Sequence, residues 1–136
     1  MTSWTLQVLV ALALLPLAVG KFTGDSQTTA TFTQLGMEPA GRYLIGVLEL
    51  IAVGLLLIPG IATWGAILTW GVMTGALIAH ATILGLGEPV PFLGLPLSIL
   101  ALINWLGASA IVVLRRHDIG FIRDMSPEAD LTPRKP

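Results

Sequence analysis

Two titratable side chains stand inside stretches of sequence that are otherwise apolar enough to lie in a membrane. Glu49 falls within the run from Arg42 to Pro59, and His80 falls near the end of the run that starts at Ala62. An acid in hydrocarbon costs about 2.5–3.5 kcal/mol on insertion scales, and such residues commonly mark proton or ligand sites. A carboxylate can transfer protons, and an imidazole can donate a hydrogen bond to a ligand carbonyl. The pair therefore predicts a polar site within an apolar bundle.

A third ionisable residue, Lys21, is predicted to join this pair. It stands just past the end of the first apolar run. In an alternating bundle the end of the first run, the beginning of the second and the end of the third meet on one side of the membrane. We therefore predict that Glu49 transfers protons, His80 orients a ligand and Lys21 stabilises the glutamate's charge. Glu88, in the connection after the third run, falls at the same end.

The residues that we predict as additional ligand contacts are Arg42, Asn104 and Trp105. Asn104 falls near the middle of the fourth run and would form the floor of the site. Each residue also has a structural interpretation. Arg42 can extend to lipid headgroups, Asn104 can join helices by a hydrogen bond worth about 0.6–2 kcal/mol, and Trp105 can pack in the bundle. A lysine–glutamate pair can likewise serve only to fix helix register. The spacing alone does not choose between these interpretations.

The composition is typical of integral membrane proteins. Of the 136 residues, 54% are hydrophobic and 11% are charged, whereas soluble domains carry about 25% charged residues. A net charge of −1 offers no basic surface to nucleic acid. The chain has no cysteine, which excludes a thiol redox pair and cysteine-ligated metal centres on this chain. His80 and His117 are predicted at opposite ends of the bundle, and no metal site is predicted.

Four apolar runs predict an all-α, up-down four-helix bundle that is integral to the membrane. They cover about residues 3–20, 42–59, 62–85 and 92–114, each close to the roughly 20 residues that a membrane-spanning helix needs. Only helices and closed barrels satisfy the backbone in lipid, and long unbroken runs are typical of helices. Residues 119–136 are predicted to form a disordered cytoplasmic tail.

Shorter signals refine the bundle. Asp25 or Ser26 is predicted to cap a short helix after the first run, and Gly36 to end it. Small residues at helical spacing in the third run predict close approach of another helix, in this chain or in a homo-oligomer. They are Gly71, Gly75 and Ala79. Basic residues after the fourth run, beginning with Arg115 and Arg116, outnumber those in the opposite connections, which predicts that both termini are cytoplasmic.

Four short segments occur together in a familiar order. They are Ala-Val-Gly-Lys-Phe-Thr-Gly at 18–24, Phe-Thr-Gln-Leu-Gly-Met-Glu-Pro at 32–39, Gly-Val-Leu-Glu-Leu-Ile-Ala-Val-Gly-Leu-Leu-Leu-Ile-Pro at 46–59 and Gly-Ala-Leu-Ile-Ala-His at 75–80. On these segments the chain resembles the DoxX-like family (DoxX/DoxD) of four-helix membrane proteins, over about residues 4–114. The resemblance implies a bacterial plasma-membrane protein and identifies Lys21, Glu49 and His80 as the family's recurrent polar positions.

The resemblance also implies a role beside membrane redox enzymes. Members have been linked to quinone-coupled sulfur oxidation, as the small membrane subunit of a thiosulfate:quinone oxidoreductase, and to oxidative-stress complexes. We therefore predict a membrane subunit of a redox complex, in contact with lipid and a partner subunit, that binds a quinone or another small ligand. Without a thiol, any redox chemistry would need a quinone or a partner to carry the electrons. Two alternatives remain: a non-catalytic anchor or assembly protein, and a small-solute or proton transporter.

Overall fold

The computed structural model describes residues 2–87 and 94–118, and this part of the chain is helical. The helices are α1 (Thr2–Thr23), α2 (Ser26–Gln34), α3 (Ala40–Leu57), α4 (Ala62–Ala79) and α5 (Leu97–Leu114). A π-helical turn at His80–Leu84 continues α4, and a 3₁₀ turn at Arg116–Asp118 follows α5. Four of the helical segments are long and apolar enough to cross a membrane. The predicted all-α membrane bundle is thereby confirmed.

The four long helices surround one apolar core. α1 packs against α3 and α5, and α4 packs against the same two helices from the other side. One layer of the core joins all four of them through Leu14, Ala52, Met73 and Ala101. The short helix α2 lies across one end of this bundle, where it contacts α1, α3 and the π turn. We refer to this side of the molecule as the α2 end.

Glycines set the closest helix contacts. A Cβ atom on Gly65 of α4 would lie 2.6 Å from the backbone nitrogen of Leu56 and 3.0 Å from the carbonyl oxygen of Ala52, so α4 approaches α3 as only glycine allows. Gly71 and Gly75, from the predicted small-residue stripe, are exposed, and a Cβ atom on either would have no neighbour within 4 Å. Helix packing within the described part of the chain therefore uses Gly65 and not this stripe.

The caps of α2 are as predicted from the sequence, whereas the end of α1 and the beginning of α5 differ from the predicted positions. Asp25 caps α2, because its Oδ1 accepts a hydrogen bond from the Thr28 backbone N–H at 2.9 Å. Gly36 follows α2 with a φ of +68°, as its predicted role requires. α1 continues to Thr23, beyond the predicted end at residue 20, and Pro96 precedes α5, where the fourth run was expected to begin at residue 92. Glu88 and the predicted tail at 119–136 lie outside the described residues.

Candidate functional site

Lys21 and Glu49 form a buried ion pair near the α2 end. The Lys21 Nζ donates to Glu49 Oε1 at 3.0 Å and lies 2.8 Å from Oε2. The second contact lacks hydrogen-bonding geometry, so Oε2 has no hydrogen-bond donor within the described ranges. Glu49 is 2% exposed and the lysine side chain 12% exposed. The acid therefore points into the bundle and not into lipid.

Local sequence explains how the lysine reaches the acid. Lys21 lies in the last turn of α1, where a cation is favourable beside the free carbonyl groups, and its Nζ also donates to the Leu17 carbonyl at 3.2 Å. Gly46 lies one helical turn before Glu49 on α3. A Cβ atom on Gly46 would lie 3.2 Å from Lys21 Cβ and 2.9 Å from a ring carbon of Phe22. The absence of a side chain at Gly46 lets α1 and α3 approach closely enough for the pair to form.

Arg42 does not extend to the headgroups as its structural interpretation supposed. It is 6% exposed, its Nε donates to both carboxylate oxygens of Glu38 at 2.8 and 2.9 Å, and its Nη1 donates to the Lys21 carbonyl. The guanidinium also lies 4.4 Å from the centre of the Tyr43 ring. Arg42 thus holds the backbone of the residue whose side chain pairs with Glu49. Sequence analysis missed Glu38, although its four-residue spacing from Arg42 was a usable signal.

His80 is held separately from the ion pair. It begins the π turn, is 6% exposed, and its Nδ1 lies 3.0 Å from the Gly85 carbonyl oxygen. No hydrogen bond or ion pair joins it to Lys21 or Glu49. The three predicted catalytic residues are therefore gathered at the α2 end, but only two of them touch.

A single cavity of about 1070 Å³ connects these three residues. Lys21, Glu49 and His80 all line it, and most of the remaining lining is apolar. α2 contributes one face to the cavity through residues three, four and seven positions apart, as expected for a helix packed across the opening. These residues are Thr28, Thr31 and Phe32, together with Leu35 directly after the helix. The volume lies just above the range of about 300–1,000 Å³ that is typical of small-molecule sites.

The other predicted ligand contacts do not line this cavity. Asn104 is fully buried and donates to the Leu100 carbonyl at 3.0 Å, while its Oδ1 has no partner in the described segments. The Trp105 indole N–H donates to the Thr74 hydroxyl at 2.9 Å, and its ring lies 6.1 Å from that of Trp70. The Trp105 contacts join α5 to α4, whereas the Asn104 hydrogen bond lies within α5. The assignment of Arg42, Asn104 and Trp105 as ligand contacts stays a prediction.

Comparison with known proteins agrees with the predicted family. A model of the DoxX-like family matches residues 5–106. This range includes every predicted site residue, from Lys21 to Trp105. The chain belongs to the DoxX-like family. No curated protein and no solved structure matches this DoxX-like chain. Together with the four apolar helices, membership makes it a membrane protein whose exposed apolar surface contacts lipid.

Across residues 2–87 and 94–118, no group of three or more His, Cys, Asp or Glu side chains is placed to hold a metal ion. What the site does offer is a carboxylate paired with an ammonium group, and an imidazole, in one apolar cavity. Such groups can bind the polar head of an otherwise apolar molecule and exchange protons with it.

Proposed function

We propose that this cavity binds a membrane-soluble small molecule with a polar ring and an apolar tail, of the quinone class. The observation that carries the proposal is that Lys21, Glu49 and His80 line one apolar cavity of about 1070 Å³. A quinone headgroup needs hydrogen-bonding groups at its ring oxygens and a route for protons, which a carboxylate and an imidazole supply. The tail needs apolar walls, which the four helices supply.

The cavity also has a route by which an apolar tail can reach the lipid. Ile45 and Leu48 of α3 and Gly71 and Gly75 of α4 belong to its lining. The two glycines are exposed and have no neighbour within 4 Å of a constructed Cβ atom. An extended chain can therefore lie over them beside the helix. This arrangement supports a ligand that enters from the bilayer and not from water.

In the cell, we propose that the protein acts as the membrane subunit of a redox complex in a bacterial plasma membrane, with both termini in the cytoplasm. The chain has no thiol to carry electrons itself. A partner subunit would therefore exchange electrons with the bound ring, while Glu49 and His80 handle its protons. Arg115 and Arg116 after α5 support the proposed orientation.

Filling the lateral route is expected to weaken binding. Gly75→Leu places a large side chain where the cavity meets lipid, so the affinity for a decyl-substituted quinone should fall about tenfold or more, which corresponds to ~1.4 kcal/mol. Gly54→Leu is the matched control, because Gly54 is also exposed, helical and free of neighbours but does not line the cavity. The measurement is a binding titration in nanodiscs. Equal affinities for the two variants would contradict the lateral route, and no binding by the unmodified protein would contradict the proposed function.

A second candidate, the non-catalytic anchor, is favoured by one observation. The Lys21 ammonium already has three acceptors close by, in the Leu17 carbonyl and the two oxygens of Glu49. A cation satisfied in this way can serve only to hold α1 against α3. The two candidates differ in whether removal of the pair affects binding once the fold is intact.

A further inference from the structure

The hydrogen bond at the π turn determines which nitrogen of His80 carries the proton. Nδ1 lies 3.0 Å from the Gly85 carbonyl oxygen, which can only accept. Nδ1 must therefore be protonated, and in the neutral imidazole Nε2 is then an acceptor. The turn itself is closed by a bond from the Gly85 N–H to the His80 carbonyl at 3.0 Å. Two hydrogen bonds thus join the same two residues and hold the ring.

Gly85 is required for this arrangement. Its backbone angles of φ +81° and ψ 172° lie in a region that is essentially restricted to glycine. These angles orient the carbonyl that accepts the hydrogen bond from Nδ1–H. A side chain at position 85 would shift the carbonyl and release the imidazole from this tautomer.

Of the three predicted site residues that line the cavity, His80 and Glu49 offer hydrogen-bond acceptors and Lys21 offers donors. His80 Nε2 has no donor among the residues that the structure describes. Glu49 Oε2, in a side chain that is 2% exposed, lies 2.8 Å from the Lys21 Nζ in a contact without hydrogen-bonding geometry, so it can still accept a hydrogen bond. The Lys21 ammonium, the nearby donor, is already directed at Leu17 and Glu49. A ligand that presents only carbonyl oxygens would meet acceptors, whereas a hydroxyl group would supply the missing protons.

We propose that the cavity selects the reduced, hydroxyl-bearing form of its ligand, a hydroquinone or a related phenol, over the carbonyl form. This inference rests on the proposed function and adds the chemical form of the ligand. Sequence analysis expected His80 to donate a hydrogen bond to a ligand carbonyl. In the neutral ring with Nδ1 protonated, Nε2 accepts a hydrogen bond instead. A hydroxyl that binds an otherwise unpaired buried acceptor should improve affinity about 10- to 100-fold.

The test compares three probes with the same decyl chain: a hydroquinone, the corresponding quinone, and the dimethyl ether of the hydroquinone. The ether keeps the shape and the oxygens but cannot donate. Titration into nanodiscs under anaerobic, reducing conditions should show the hydroquinone binding at least tenfold more tightly than the ether. The quinone, titrated without reductant, should also be weaker. Equal affinity of hydroquinone and ether would overturn this inference alone, whereas no binding by any probe would overturn the proposed function with it.

A spectroscopic test examines the tautomer directly. In ¹⁵N spectra of the full chain with His117→Gln, the neutral His80 ring should show a protonated Nδ1 and an unprotonated Nε2. Gly85→Ala should lose this preference and bring the affinities for hydroquinone and ether together. Gly60→Ala is the control, since Gly60 also has a positive φ and no neighbour within 4 Å but lies at the opposite end of the bundle. A protonated Nε2 in the neutral wild-type ring would overturn the inference.

Discussion

Lys21→Met is expected to lower the free energy of unfolding by about 3–5 kcal/mol, because it leaves a buried acid without its cation. Glu49 is 2% exposed and receives its hydrogen bond from Lys21. Glu49→Leu should have a smaller effect. The lysine side chain is 12% exposed at the end of α1, and once freed it can extend toward the headgroups. Unfolding in a graded series of denaturing and mild detergents measures both values. A larger loss for Glu49→Leu than for Lys21→Met would contradict this order.

Replacing both residues at once separates the two proposed functions. The double variant Lys21→Met/Glu49→Leu should recover most of the lost stability, since buried ion pairs are often exchanged for apolar residues at little net cost. If the pair belongs to a ligand site, the stable double variant should not bind the decyl hydroquinone. Wild-type affinity in that variant would establish the pair as structural only. Glu38→Gln serves as a control, because it removes an acid at the same end that does not line the cavity, and the glutamine carbonyl can still accept the hydrogen bond from Arg42.

The second large effect concerns the contact between α3 and α4. Gly65→Ala is expected to destabilise the bundle by about 1–3 kcal/mol, because the added methyl group would meet backbone atoms, which cannot move aside as a side chain can. Gly71→Ala should instead be neutral or stabilising by up to about 1 kcal/mol, since it replaces glycine within a helix where nothing is in contact. The two variants differ in position along one helix and are otherwise identical in chemistry.

Thermal unfolding in the same detergent, compared with the unmodified protein, measures this difference. A loss for Gly71→Ala as large as that for Gly65→Ala would mean that the stripe does pack against a helix, from a second copy of the chain. A neutral Gly65→Ala would contradict the close contact between α4 and the backbone of α3.

The four long helices and the contact between Lys21 and Glu49 could be predicted from the sequence. Apolar length predicts the spans, and alternation of the spans brings the end of α1 to the first half of α3. The contact between Lys21 and Glu49 follows from that topology, because a buried acid needs a partner and few were available. Asp25 as a cap is similarly local, since it depends only on the residues that follow it.

Other features depend on geometry that one sequence does not reveal. Arg42 was predicted as a ligand contact, with extension to the headgroups as its structural interpretation, whereas Glu38 and the Lys21 carbonyl hold it here. The π turn at His80 adds one residue to a helical turn, and apolar periodicity does not distinguish it from α-helix. The proton on Nδ1 follows from that turn. The stripe at Gly71 predicted a helix neighbour, but small residues equally permit a cavity.

The tight contact at Gly65 has a consequence for how the protein meets its surroundings. α3 and α4 are in backbone contact toward one end, and the cavity separates them only on the α2 side of that contact. If a ligand uses the proposed lateral route, it enters on the α2 side of this contact and therefore from one leaflet. Supply to the site would then depend on the ligand's concentration in that leaflet, and the rate of its flip-flop across the midplane would become part of the binding kinetics.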